Sequence, residues 1–319
     1  MPRTCLRASA SVALASAVFA WLGSVASAEL GPPPRFVGTE LEQDEILEVI
    51  STADSRSFKP VGHSSVVLRM RTVARMTAAL RVSSRAIQDG YRYEIAAYRI
   101  SRLLGLDNVP PAIFRRATWK EISHRFHEDM LDRRASIRRA ILWDEDGSAP
   151  GAAVYWIKGL RSLRLENTAS WRSWLGDGDV PEGKAALARD LSTMTVFDLL
   201  IGNWDRFSGG NLPTDSKRQR AFLRDNDRAF STPLPARRYE TLLEGFTATK
   251  RFSRELVRRL EALDEASIRN ELAKDPSQQS HPLLSDAQIA EVLDRKGTIL
   301  SYIAALIEAH GEAEVLFFP

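Results

Sequence analysis

The chain has 319 residues, with 44 Lys or Arg against 41 Asp or Glu and a formal charge of +3, of which Arg3 and Arg7 contribute two. So near-neutral a body argues against nucleic acid as an obligate partner, and a chain of this length buries a full core as one large domain or two lobes. A single cysteine, Cys5, excludes a disulfide framework.

Residues 1–28 open with Arg3 and Arg7, run from Ala8 to Ser24 without a charge and close on Ala26-Ser27-Ala28 before Glu29. A positive start, an apolar middle and small residues at the cut predict a secretory signal peptide. The expected protein is therefore exported, periplasmic or extracellular after cleavage near Ala28. The apolar stretch falls short of the ~20 residues that a membrane span needs, as does the later run 299–307, so no stable span is expected in the mature chain.

Residues 29–57 begin with Gly31-Pro32-Pro33-Pro34, an extended linker, and continue through the acidic stretch 40–48 as one short helix. From Val61 to Arg71, and again from Met76 to Val82, small or polar residues alternate with β-formers, which predicts two antiparallel strands. Gly62 with Ser64 and Ser65 lies at the mouth of this hairpin, where backbone N–H groups could approach phosphates, although an ordinary hairpin accounts for it equally. Ala96, Ile100 and Leu103 fall at i, i+4 and i+7 and Gly105 supplies a stop, so 91–104 is read as a helix. Glu94 sits at the edge of that stripe, either as a solvated charge or as a helix glutamate orienting a phosphate-binding cation.

Pro110-Pro111 breaks the chain and feeds an extended segment, 112–115. Residues 119–143 predict a charged, mostly helical excursion; His124 and His127 share a face there without a third ligand in register. Val154-Tyr155-Trp156-Ile157 is an apolar strand ending at Gly159. The longest clear helix is 183–201. Its stripe of Leu187, Leu191 and Met194 continues at i+11 with Asp198, a carboxylate where an apolar residue is expected. Buried carboxylates need partners, so Asp198 is expected to brace the following loop by accepting its N–H groups. Residues 239–273 and 286–310 complete the predicted helices, the last begun by a capping box of Ser285 and Gln288. A β-rich half followed by a helix-rich half predicts an α+β protein with a small mixed lobe and a mainly helical one.

The polar centre of the sequence is Gly202-Asn203-Trp204-Asp205-Arg206-Phe207 through Asn211, followed by Leu223-Arg224-Asp225-Asn226-Asp227-Arg228-Ala229-Phe230. Asp205, Asn211 and Asp225 gather groups that suit a divalent cation or a hydroxyl proton within about twenty residues. Two other readings explain the acids alone: a metal-hydrolase cluster of Asp198, Asp205, Asp225 and Asp227, or carboxylates that cap helices and turns.

Together with Glu94-Ile95-Ala96-Ala97-Tyr98, Leu103-Leu104-Gly105-Leu106 and Pro110-Pro111, these blocks resemble the secretory-pathway atypical kinases: the Golgi casein kinase, its glycan xylose kinase relatives and the four-jointed kinases. More distantly they resemble the phosphatidylinositol kinases and the HipA toxin kinases. The resemblance covers roughly residues 58–240. It implies a two-lobed protein-kinase-like fold, with an N-lobe over 58–160 and a C-lobe over 161–319. The reaction it implies is transfer of the γ-phosphate of ATP, with Mg or Mn, to a protein or glycan hydroxyl. By the same resemblance Asp205 is the catalytic base, Asp225 the chief metal ligand, Asn211 a second metal ligand and Glu94 the helix acid, with Arg206 steadying the loop. Phe207 stands where the family often has His, and Asn211 lies six residues after Asp205 instead of five. The phosphate-binding lysine expected on the strand before the Glu94 helix is replaced by Arg81, and only eight lysines occur in all. Either Arg81 substitutes, or Lys59 reaches in from before the hairpin, or nucleotide binding is lost and the chain is a pseudokinase serving as a binding module.

Overall fold

Helix α1 (Gln43–Thr52) precedes three consecutive strands, β1 (Ser55–Pro60), β2 (Val67–Thr72) and β3 (Thr77–Val82), and helix α2 (Gly90–Leu103). Strand β4 (Ala112–Phe114) follows, and β5 (Ala117–Thr118) opens an excursion through α3 (Trp119–His124), a 3-10 turn (Glu128–Arg133) and α4 (Arg134–Ala140). The excursion returns by β6 (Ser148–Ala149) to β7 (Gly151–Tyr155). The remainder is helical: α5 (Ser170–Leu175), α6 (Ala185–Ile201), α7 (Ala236–Thr247), α8 (Arg254–Ala262), α9 (Glu265–Leu272), α10 (Asp286–His310) and α11 (Glu312–Val315). The computed structural model describes residues 31–33, 35–62, 65–162, 170–207 and 210–319; the expected signal peptide at 1–28 lies outside them.

Among the described residues, one sheet has the order β1-β2-β3-β7-β4 with every neighbouring pair antiparallel, and β5 and β6 form a separate two-stranded ribbon. Alternation along the strands gives the large sheet two different faces. Leu68, Met70, Ala78, Leu80 and Ala153 pack with Ile46 and Ile50 of α1, Ile122 of α3 and Ile137 of α4. On the opposite face Ala152 and Val154, with Ala79, join the larger core of α2 and the C-terminal helices. Arg81 is two residues after Ala79 and pairs in register with Ala152, so it belongs to that second face. The sheet thus backs onto the helical lobe through the face that carries Arg81.

The two expected strands are β2 and β3. Strand β1 begins at Ser55, inside the stretch read as linker and helix, because its only large apolar residue is Phe58 and the alternation is faint. Phe58 is fully buried all the same. The stretch 239–273 resolves into α7, α8 and α9. Ser253 accepts from the Leu256 N–H at 3.3 Å and Asp264 from the Ser267 N–H at 2.7 Å, so each cap starts a new helix where the apolar stripe reads as continuous. Helix α10 carries the capping box expected of Ser285 and Gln288. No helix among the described residues is long and apolar enough to cross a membrane.

Candidate active site

Arg81 is the hub on the sheet side. Its Nε lies 3.0 Å from Glu94 Oε1 and its Nη1 2.8 Å from Asp227 Oδ2, while Nη2 pairs with Asp225 Oδ1. Glu94 projects from the first turns of α2, is 3% exposed, and also accepts the Asn226 N–H at 3.1 Å. Burial pushes its carboxyl above the usual carboxylate range, and the Arg81 guanidinium beside it acts in the opposite direction. Helix α2 approaches Asp227 this closely because it starts with glycine. A Cβ on Gly90 would stand 2.6 Å from Ile87 Cγ2 and 3.1 Å from Asp227 Cβ.

On the helical side α6 ends at Gly202, which takes the left-handed conformation (φ +69°) and turns the chain so that the Asn203 N–H reaches the Asp198 carbonyl at 2.8 Å. Arg206 then folds back beneath the loop. Its Nε contacts the two Asp198 oxygens at 3.2 and 3.0 Å and its Nη2 reaches Oδ1 at 2.9 Å. The same guanidinium donates to Asn226 Oδ1 at 2.7 Å, to the Asn211 carbonyl at 3.2 Å and to the Arg224 carbonyl. Asp198 does brace the loop: among the described residues its carboxylate does so through Arg206 and accepts no backbone N–H. Burial raises its carboxyl, with Arg206 opposing. This location, under the loop and away from the cleft, separates Asp198 from the other acids of the hydrolase reading.

Asn203 completes the arrangement, accepting the Asp205 N–H on Oδ1 at 3.2 Å and donating from Nδ2 to Asn226 Oδ1 at 3.1 Å. Asn211 Nδ2 donates to the Asp205 carbonyl at 3.0 Å and lies 3.4 Å from its Oδ2. The sixth residue after Asp205 therefore does return to it. Asp225 has φ +58°, a left-handed conformation that Asp tolerates better than most residues.

A cleft of about 510 Å³ lies between the two sides, and Gly62, Arg81, Asp205, Asn211, Asp225 and Asp227 all line it. Val67, Ala79, Val154 and Ile157 supply apolar wall. At Gly62 a Cβ would stand 2.3 Å from the Ser65 carbonyl oxygen, so this lining position needs glycine. Glu94 touches the cleft through Arg81. Lys59 is not brought to it: its Nζ pairs with Asp129 at 3.3 Å in the 3-10 turn, and β1 is the edge strand two places from β3.

Three positioning or lining groups, Arg224, Asn108 and Arg220, escape sequence reasoning, and Asp227 enters it only through the metal-hydrolase reading. Asp227 and Arg224 line the cleft, and Arg224 Nε stands 3.3 Å from Asp225 Oδ2. Burial and the nearby Arg81 charge lower the Arg224 pKa. Buried Asn108 holds the run before Asp225 in place, donating to the Ala221 carbonyl at 2.9 Å and accepting the Leu223 N–H at 3.1 Å. Arg220 ties the start of that run to Asp190 of α6 at 2.7 Å and to Asp107 at 2.6 Å. A buried position for Asp190 is foreshadowed only by its spacing, three residues after Leu187 and four before Met194 on the apolar stripe of α6.

Among the described residues no group of three His, Cys, Asp or Glu is arranged to hold a metal ion. Asp225 and Asn211 are oxygen donors in the same cleft, a set that suits Mg²⁺, which binds one or two carboxylates together with substrate phosphates and water.

No protein-family model matches the sequence, and no curated protein matches it. Solved structures do match in fold. The Golgi casein kinase with Mn/ADP bound superposes with a TM-score of 0.63 at 16% identity, covering 86% of this chain and 78% of that one. Hydra Fam20 with sugar superposes with a TM-score of 0.64 at 15% identity, covering 89% of this chain and 95% of that one. The chain therefore has the two-lobed α+β kinase-like fold of the Golgi casein kinase and of hydra Fam20.

Proposed function

We propose that this chain is an exported kinase-like phosphotransferase that moves the γ-phosphate of ATP to a protein or glycan hydroxyl, using Mg or Mn. One observation carries the reading: a single cleft is lined by Asp205, Asn211 and Asp225 from the helical side and by Arg81, paired with Glu94 at 3.0 Å, from the sheet side. Its volume of about 510 Å³ falls in the range of cofactor sites. The match to the Golgi casein kinase, whose structure holds Mn/ADP, supports the choice of nucleotide and metal.

Asp205 is the general base. Its carboxylate accepts the proton of the acceptor hydroxyl as that oxygen bonds to the γ-phosphorus and the bond to the β-phosphate oxygen breaks, releasing ADP. Asn211 and Arg206 fix the loop that presents it. Asp225 and Asn211 would hold the metal, which would supply charge to neutralise the phosphates. Gly62, which has no side chain, lets the backbone approach the phosphates, and the Arg81–Glu94 pair orders the sheet side. The lobe that begins with β1 and ends near residue 160 binds nucleotide against the helical lobe. A signal peptide over 1–28 delivers the protein to the periplasm or the extracellular space.

The purified protein, incubated with Mn²⁺ or Mg²⁺ and labelled ATP, is expected to bind ATP by calorimetry and to label itself or casein. Asp205→Ala is expected to reduce transfer about 10²- to 10⁴-fold, the usual share of a general base. Intact transfer in Asp205→Ala with loss in Asp225→Ala would reassign the base, and absence of ATP binding would sink the enzyme reading.

A second reading, a pseudokinase acting as a binding module, is favoured by one contact: the Arg81 guanidinium already engages Asp225. It predicts ATP or partner binding without transfer in the same assay.

A further inference from the structure

Among the described residues the cleft is lined by two cations, Arg81 and Arg224, and by no lysine. They are engaged very differently. Each nitrogen of the Arg81 guanidinium already faces a carboxylate, those of Glu94, Asp227 and Asp225, and its side chain is only 14% exposed. To grip a phosphate, Arg81 would have to release acids, one of which is buried at 3% exposure. That exchange leaves a desolvated carboxylate without its counter-charge, which is strongly unfavourable.

Arg224 has no such commitment. Its Nε donates to the Gly210 carbonyl at 3.1 Å and stands 3.3 Å from Asp225 Oδ2, which anchors the side chain at its root. Among the described residues no hydrogen bond or ion pair engages Nη1 or Nη2, and the side chain is 37% exposed. A planar fork held at one end and open at the other, beside the carboxylate assigned to the metal, matches the paired oxygens of a phosphate.

We propose that Arg224 is the phosphate-gripping cation of this cleft, contacting the terminal phosphates of the nucleotide through Nη1 and Nη2, while Arg81 serves as the hub that orders Glu94, Asp225 and Asp227. The work that a strand lysine performs in related folds is thus divided between a structural arginine on β3 and a ligand-binding arginine one residue before the metal aspartate. This rests on the nucleotide reading above.

The test is calorimetric titration of ATP and of adenosine, each with Mn²⁺, into the wild type, Arg224→Gln and Arg224→Lys. Thermal denaturation of each variant serves as the check on folding. Loss of a charge-assisted pair predicts that Arg224→Gln binds ATP about 10- to 100-fold more weakly with adenosine affinity unchanged. Arg224→Lys, which keeps charge without the fork, is expected to lie between, and it carries the test if the glutamine variant does not fold. Unchanged ATP affinity in both variants overturns the assignment, as does an equal loss for ATP and adenosine, which marks a structural disturbance. A defect confined to the acceptor KM overturns it too and moves Arg224 to the acceptor side. Absence of ATP binding in the wild type removes the nucleotide reading and this assignment together, whereas wild-type binding with unaffected variants removes this assignment alone.

Discussion

Arg206 donates to both carboxylate oxygens of Asp198 at 2.9 to 3.2 Å, with side chains only 1% and 4% exposed. The pair joins the end of α6 to the loop that carries Asp205, and through Asn226 and the Arg224 carbonyl it also holds the segment that carries Asp225. Removing one partner strands a buried charge. Asp198→Ala and Arg206→Ala are each expected to cost about 3–5 kcal/mol, and the double variant clearly less than their sum. Urea denaturation of the four proteins checks this; additive losses would show that the two side chains act independently.

Arg81 predicts a different pattern. An ammonium cannot serve three carboxylates in one fork, so Arg81→Lys is expected to lower stability by about 2–4 kcal/mol even though it creates the lysine usual in kinases. Arg81→Ala is expected to lose more, because Glu94 is left buried without its counter-charge, and adding Glu94→Gln to Arg81→Ala should recover part of the loss. Denaturant midpoints report both effects. A more stable Arg81→Lys would contradict the hub role.

Two glycines are tested by one substitution with two different causes. At Gly202, alanine meets no atom closer than 3.5 Å but must adopt φ +69°, at a cost of about 1–2 kcal/mol. At Gly90, φ carries no penalty, but the new methyl would press on Ile87 at 2.6 Å and on Asp227 at 3.1 Å, an overpacking cost of about 1–3 kcal/mol. Only Gly90→Ala is expected to weaken nucleotide binding as well, since it moves Asp227. Paired stability and ATP-binding measurements separate the two.

Tyr91 supplies a pH dependence. Burial pushes its phenol up to about 12 from the usual 10.0. The folded protein therefore disfavours the phenolate. The stability this contributes is fully present below the unfolded value and is lost as pH rises from there through about 12. Stability of the wild type is expected to fall more steeply than that of Tyr91→Phe between those limits. Burial also raises Tyr98, Tyr155 and Tyr302, so an absorbance titration in which Tyr91→Phe loses one of several late-ionising tyrosines provides the second readout.

Much of the site was legible because its signals are local. Asp205 and Asn211 share one loop, Gly202 marks the helix end, and Asp198 stands out as a carboxylate in an apolar stripe. Their mutual contacts span only six to eight residues. Strand β1 and the division of 239–273 into three helices were missed for a local reason as well, a single apolar side chain in one case and two caps inside a continuous stripe in the other.

By itself the sequence determined the order of β-rich and helical parts, the helix with Glu94, the loop with Asp205 and the absence of a lysine on β3, since periodicity, caps and residue type act over a few positions. Only the tertiary structure decided what Arg81 does. Its partners Asp225 and Asp227 lie 144 and 146 residues away, and their pairing depends on the sheet face, the glycine start of α2 and the left-handed turn at Asp225 meeting in one place. The same holds for Arg224 and Lys59. Which arginine is locked among carboxylates, which keeps an open fork, and which lysine is left on an edge strand are outcomes of packing, because an ion pair is chosen by distance in space and by the water excluded around it.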